Sequence, residues 1–65
     1  MTTRRWVALG TTGAVGSIHL VDEGYEVRLI GDEEPYGVYP QLDIAKSALH
    51  AALPAGSERP EFREH

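Results

Sequence analysis

One segment, residues 40–53, has the clearest periodicity in the chain, and it restricts what the rest can fold into. At about 100° per residue on a helix, apolar residues form a stripe along one side: Leu42, Ala45, Leu49 and Leu53. Polar residues fill roughly one third of the circumference: Asp43, Lys46, Ser47 and His50. The pattern predicts a helix whose apolar stripe packs on a sheet formed by the remaining chain.

The ends of this segment are typical of helix boundaries. Pro40 suits the first helical position, where an N–H group would have no partner inside the helix. Asp43 lies in the first turn, where the helix dipole favours negative charge. Pro54 cannot continue the helical hydrogen bonds, so we expect the helix to end before it.

The remaining apolar residues of the helix make its apolar arc wider than one face of a sheet can cover: Ile44, Ala48, Ala51 and Ala52. One interpretation is that the neighbouring loop or the C-terminal segment covers them, or that exposed alanines are tolerated. The other is that they contact another subunit. Both interpretations stay open, and these residues are candidates for partner binding.

Short segments with strand character precede the helix. Residues 6–9 form an apolar run that stops at Gly10, while residues 15–21 and 25–30 alternate between apolar and polar side chains. The fold predicted is α+β: a three-stranded antiparallel β-meander packed against one C-terminal α-helix (βββα). Residues 1–56 form the single domain of this prediction, and residues 57–65 form a flexible, charged C-terminal tail.

The register of the first strand decides which side chains the sheet exposes. If Val7 and Leu9 face the helix, the outer face carries Trp6, Ser17, His19, Glu26 and Arg28, with Arg4 beside them. An exposed tryptophan near arginine and histidine would be a recognition face, with Trp6, His19 and Arg28 as its partner-binding residues. In the other register Trp6 belongs to the core. A strand this short does not fix its own register, so both remain open.

Composition narrows the means by which the fold is stabilised. The chain has 65 residues and no cysteine, so disulfides and thiolate zinc sites are excluded. A core of this size supplies roughly 3–5 kcal/mol of net stability, which makes self-association an expected support. The net charge of −4 disfavours a sheath of DNA phosphates.

The pattern of titratable and nucleophilic residues does not indicate an enzyme. The histidines are His19, His50 and His65, and no two of them have the i, i+4 spacing of a helical metal site. No serine or threonine accompanies a histidine at a recognisable motif spacing. We expect no cofactor and no metal. No apolar run reaches the length of a membrane span, so a cytoplasmic protein without membrane contact is expected.

The segment Gly10-Thr-Thr-Gly13-Ala-Val-Gly16, followed later by Asp32, resembles the phosphate loop of short-chain dehydrogenase-type dinucleotide folds. The resemblance implies a pyrophosphate held at a helix N-terminus and a ribose bound by the acid. The residues between Gly16 and Gly24 alternate like a strand and are fewer than a crossover helix needs. A β-hairpin is the favoured interpretation, and a truncated dinucleotide-binding unit is the lesser one.

The order of three strands, a polar loop and a helix resembles small βββα modules such as the AP2-type and integrase arm-type DNA-binding domains. The residues that carry this likeness are Tyr39, Leu42, Ala45, Lys46, Ala48 and Leu49. The resemblance implies nucleic-acid binding through the exposed sheet face. The residues themselves favour a small, non-catalytic accessory or interaction module that binds a protein partner or itself as a homodimer. Nucleic-acid binding is the alternative, and the net charge disfavours it.

Overall fold

The computed structural model describes residues 4–11, 13–54 and 56–64. The elements in chain order are β1 (Arg5–Gly10), β2 (Gly13–Val21), β3 (Gly24–Leu29), β4 (Gly37–Tyr39), α1 (Leu42–Ala52) and β5 (Glu61–Glu64). The strands form one antiparallel sheet in the order β4-β3-β2-β1-β5, and α1 lies across one of its faces. The predicted α+β class with an antiparallel sheet and a C-terminal helix is confirmed. The predicted meander is the centre of a wider sheet.

The fourth strand, β4, occupies the place where the sequence predicted the end of a loop and the residues that lead into the helix. Proline restricts the residue before it to extended conformations, so Pro40 holds Tyr39 in a strand that pairs with Tyr25. Gln41 is also extended, with φ −135° and ψ 149°, and it is the N-cap of α1. The prediction of Pro40 as the first helical residue is therefore wrong, because the helix begins at Leu42.

The fifth strand, β5, lies within the predicted flexible tail, and for residues 61–64 that prediction is wrong. β5 pairs with β1 in a register that sets Phe62 opposite Ala8. The ring of Phe62 packs against the core, and the ammonium of Lys46 lies 5.4 Å from its centroid. A single apolar residue among charges gives too short an alternation to predict a strand. The open edge of β1 supplies the missing partner.

The core lies between the sheet and the helix. Its buried members from the sheet are Trp6, Ala8, Ile18 and Val27, and those from the helix are Ala45 and Leu49. Leu42 and Leu53 are half-buried against this cluster. The predicted helical stripe therefore faces the sheet as expected.

A glycine in β2 lets the helix come close to the sheet. Gly16 is buried and lies opposite Ala8 on one neighbouring strand and Leu29 on the other. A Cβ atom at this position would lie 2.7 Å from the carbonyl oxygen of Arg28 and 3.1 Å from Cδ1 of Leu49. The register shifts beside it, between Ala8 and Leu9, so that β2 contains a bulge. The absence of a side chain at Gly16 thus sets the separation between sheet and helix.

The ends of β1 and β5 are joined by an ion pair on the helix side of the sheet. Arg4 donates to Glu64 through Nε at 2.7 Å and through Nη2 at 2.9 Å. Its guanidinium also lies 5.1 Å from the ring centroid of Trp6. Hydrogen bonding by Arg4 holds the pKa of the Glu64 carboxyl below its ordinary value, although partial desolvation opposes this.

Substituting Gly16→Ala is expected to destabilise the fold by about 1–3 kcal/mol, because the new methyl group would overlap a backbone oxygen and crowd Leu49. Urea unfolding followed by circular dichroism measures the change. The neighbouring substitution Ser17→Ala is the matched control and should change stability by less than about 0.5 kcal/mol. Equal stability of the two variants would contradict the close approach of the helix at Gly16.

The Arg4–Glu64 pair predicts a pH dependence with a definite sign. A carboxyl whose pKa is lowered by folding stabilises the fold above its unfolded pKa of about 4.3, and this contribution is lost as pH falls through the lower folded value. In Arg4→Gln the pKa of Glu64 should rise toward its ordinary value. A carboxyl-detected NMR titration of both proteins checks this, and an unchanged Glu64 titration would rule out the pair in solution.

Candidate functional site: the outer face of the sheet

The face of the sheet that points away from α1, here called the outer face, is the principal candidate site. Directly paired residues of antiparallel strands share a face, and Trp6, Ile18 and Val27 form one such row on the helix side. Alternation along each strand places the following residues on the outer face: Arg5, Val7, Leu9, Ser17, His19, Val21, Glu26, Arg28, Val38, Glu61 and Arg63. Among the described residues, no helix or strand covers this face.

Trp6 is not a member of the outer face. Its side chain is 5% exposed and lies 5.7 Å from the ring of Tyr25, measured between centroids. The register in which Val7 and Leu9 face the helix is therefore wrong, and the core alternative for Trp6 is confirmed. The pairing of Trp6 with Ile18 fixes this register, because Ile18 belongs to a strand whose apolar side is unambiguous. Arg5, Val7 and Leu9 take the outer positions instead.

The residues of β2 and β3 that the sequence predicted to lie on the outer face do lie there. His19 lies between Arg5 on β1 and Glu26 on β3, in one row across the sheet. Oγ of Ser17 and Nε2 of His19 are 3.2 Å apart, and this contact follows from their i, i+2 spacing on one strand. Nε of Arg28 donates to Oε1 of Glu26 at 2.7 Å. His19 and Arg28 thus lie within one continuous surface.

The outer face differs in charge from the rest of the molecule. It carries three of the chain's six lysines and arginines but two of its ten aspartates and glutamates. With histidine neutral, its formal charge is +1, and the remaining chain carries −5. The acidic residues concentrate in the turns and in the loop before β4. The net charge of the whole chain, on which the sequence prediction was based, does not reveal this difference in charge between the outer face and the rest of the molecule.

Exposed apolar side chains occur at the β3–β4 side of the sheet. Val38 is 44% exposed on the outer face beside Glu26, while Ile30 and Tyr36, which are 64% and 51% exposed, lie just after β3 and just before β4. The N–H of Tyr36 donates at 2.7 Å to the carbonyl of Val27, the residue that pairs with Gly37. Sequence reasoning missed these residues because β4 was not predicted. The signal that could have found it is the extended conformation that Pro40 imposes on Tyr39.

The helix residues proposed as partner-binding lie elsewhere on the molecule. Lys46 reaches Phe62 on β5, so the opposite flank of α1 is directed toward the β4 edge. On that flank and on the outward side of the helix, Ile44 is 43% exposed, Ala51 is exposed, and Ala48 and Ala52 are half-buried. These residues lie across the molecule from the outer face. The structure therefore does not unite the predicted partner-binding residues into one site.

The glycine-rich segment forms the hairpin that was the favoured interpretation. Gly10 and Gly13 are paired at the end of β1 and the start of β2, and Gly16 lies inside β2 opposite Ala8. The segment is followed by a strand, so the helix N-terminus that a dinucleotide loop would use is not formed by these residues. Asp32 lies in the exposed loop before β4.

A groove of about 510 Å³ lies between the β1–β2 hairpin and the connection from α1 to β5. Its walls include Leu9, Val15, Leu53 and Pro60. Nε2 of His50 lies 3.2 Å from the carbonyl oxygen of Ser57 and links the helix to this connection. The lining of the groove also includes the polar residues Thr11, Ser57, Glu58, Arg59 and Glu61.

The described residues contain no group of three or more histidine, aspartate or glutamate side chains arranged to hold a metal ion. His65, considered above as a ligand, lies outside the described residues. In the part of the chain that the structure describes, no helix is both long enough and apolar enough to cross a bilayer. Comparison with protein-family models, with curated proteins and with solved structures finds no match for this chain.

Burial of Trp6 predicts a specific fluorescence signature. The emission of the native protein should be blue-shifted and protected from iodide or acrylamide, because 5% of the side chain is exposed. Unfolding in urea should shift the emission to the red and raise quenching severalfold. Quenching of the native protein at the rate of free tryptophan would restore the exposed-tryptophan interpretation.

Proposed function

We propose that this chain is a small, non-catalytic interaction module that binds another protein through the outer face of its sheet. The observation that carries the proposal is an uncovered outer face on which the exposed side chain of Val38 lies beside the Arg28–Glu26 ion pair. Apolar side chains rimmed by polar residues on an uncovered surface mark interaction sites. A cytoplasmic, accessory role is part of the same proposal.

The residue types of the outer face suit a protein partner. Tyrosine and arginine are enriched among residues that dominate binding energy; Arg28 lies on the outer face, and Tyr36, which is 51% exposed, directly precedes β4. Val7, Leu9 and Val21 are half-buried and alternate with polar neighbours. The pattern of apolar contacts interspersed with oriented charges is typical of a non-obligate interface.

Protein is favoured over nucleic acid as the ligand. Two of the three arginines on the outer face already contact glutamates, Arg28 with Glu26 at 2.7 Å and Arg63 with Glu61 at 3.3 Å. The rings of Trp6, Tyr25, Tyr39 and Phe62 belong to the core side of the sheet, where they cannot stack on bases. A face with a formal charge of +1, on which two of the three arginines are paired with glutamates, gives little attraction for phosphates.

The contact between Ser17 and His19 does not favour catalysis. A nucleophile–base pair needs a third group to orient the histidine and a concave site to hold the substrate. Glu26, the nearest carboxylate in the row, accepts its hydrogen bond from Arg28. The pair lies on a sheet face rather than in the groove. These features support a binding role.

The proposal predicts that partner binding depends on the outer face and not on the helix. Affinity capture from the native host should recover a protein with the wild-type chain, and Arg28→Ala combined with Tyr36→Ala should reduce its recovery at least tenfold. Ser47→Ala on the exposed side of α1 is the control and should bind as the wild type does. Circular dichroism verifies that each variant is folded.

Two outcomes would count against this function. Loss of binding with helix variants such as Ile44→Ala, but not with outer-face variants, would move the site to the helix. A salt-dependent shift of DNA or RNA that Arg28→Ala abolishes would establish the nucleic-acid alternative instead.

A further inference from the structure

We infer that the partner of the outer face is a second copy of this chain, stacked face to face about a two-fold axis that runs along β2. This inference rests on the proposed function, because it names the partner of the same surface. It is carried by the order of the strands, by the placement of charges in register, and by the size of the face.

The strand order makes the sheet symmetric about β2 in its number of strands. With the order β4-β3-β2-β1-β5, two strands lie on each side of β2. The proposed two-fold axis runs parallel to β2, midway between the two stacked sheets. Rotation about it places β3 of one copy over β1 of the other copy, and β4 of one copy over β5 of the other. Such an interface is isologous, so each contact occurs twice. Stacked sheets lie about 10 Å apart with strands roughly 30° from parallel.

This arrangement pairs opposite charges. Arg5, His19 and Glu26 form one row, with His19 on the strand that carries the axis. The two-fold rotation exchanges the two ends of the row. Arg5 of each copy therefore lies opposite Glu26 of the other copy. Among the described residues, the ion pairs of the outer face involve Arg28 and Arg63, and Arg5 has no carboxylate within 4 Å. A second copy supplies that carboxylate.

The next row is also complementary. It contains Arg63, Val7, Ser17 and Arg28. The axis sets the aliphatic stem of Arg28 over Val7 of the second copy. Like charges do not face each other in this row.

The size of the outer face fits a weak dimer. Five strands about 4.8 Å apart span roughly 24 Å; the three central strands, at about 3.3 Å per residue, are roughly 20 Å long or more, and β4 and β5 are shorter. Because side chains project unevenly from the sheet, the accessible area of the outer face exceeds this flat area. It approaches about 600–800 Å² per partner, the lower end of the range for specific interfaces. The whole chain exposes 4554 Å². We therefore expect dissociation constants in the micromolar range rather than an obligate dimer.

A competing arrangement is edge-to-edge association through β4, which the prolines beside this strand disfavour. Pro35 and Pro40 bracket the strand and lack the N–H groups that an added strand would need. β4 itself contains three residues, so few backbone hydrogen bonds would form.

Analytical ultracentrifugation of the wild type and charge-swapped variants tests the inference. From about 1 µM to 1 mM, the wild type should convert from monomer to dimer. Arg5→Glu or Glu26→Arg alone should weaken the dimer at least tenfold, and the double variant should restore it to within about threefold. Arg59→Glu, which makes the same charge change at an exposed position outside the sheet, should leave the dimer unchanged.

A second measurement remains informative if a charge swap disturbs the fold. Ser17 lies on β2 beside the proposed axis, and the chain has no cysteine of its own. Ser17→Cys should therefore cross-link to a second copy with a short bis-maleimide, while Ser47→Cys on the far side of the helix should not. A monomer at all concentrations, or cross-linking at Ser47 alone, would overturn the inference. A monomeric chain that captures a different protein through Arg28 and Tyr36 would overturn it and leave the proposed function standing.

Discussion

The approach of Leu49 to Gly16 is the contact on which the rest of the structure depends. With no side chain at Gly16, the helix settles closely over β3 and the adjoining part of β2 and completes the burial of Ile18 and Val27. A chain of 65 residues has little apolar area to spare, so a helix displaced by one methyl group would uncover a substantial part of its core. Small residues at Ala8 and Ala45 extend the same close fit.

Because the single described helix covers one face, the sheet is strongly asymmetric. The aromatic rings of Trp6, Tyr25, Tyr39 and Phe62 lie on the covered side, where they pack with the buried aliphatic residues of the core. The other side keeps arginines, glutamates and short apolar residues in register across the strands. This division leaves a surface that is ordered by the backbone ladder and partly apolar. The proposed interaction role rests on that surface rather than on any single residue.

Local patterns predicted much of the fold. The helical stripe of Leu42, Ala45, Leu49 and Leu53 faces the sheet, and the alternation in β2 and β3 placed His19 and Arg28 on the outer face. Those predictions succeeded because each segment is long enough to express its period. β4 and β5 contain three and four residues, which is too few for a period to be read. They are strands because β3 and β1 offer them open edges.

By itself the sequence determined the secondary structure of the longer segments and the identity of the core face of the helix, since these depend on side-chain spacing within one element. The tertiary structure alone decided the orientation of Trp6, because the register of a short strand comes from its neighbour Ile18. It also decided that Phe62 joins the core and that His19, Glu26 and Val38 form one row of the outer face. These relations join residues far apart in the chain, and cross-strand pairing and packing fix them rather than local propensity.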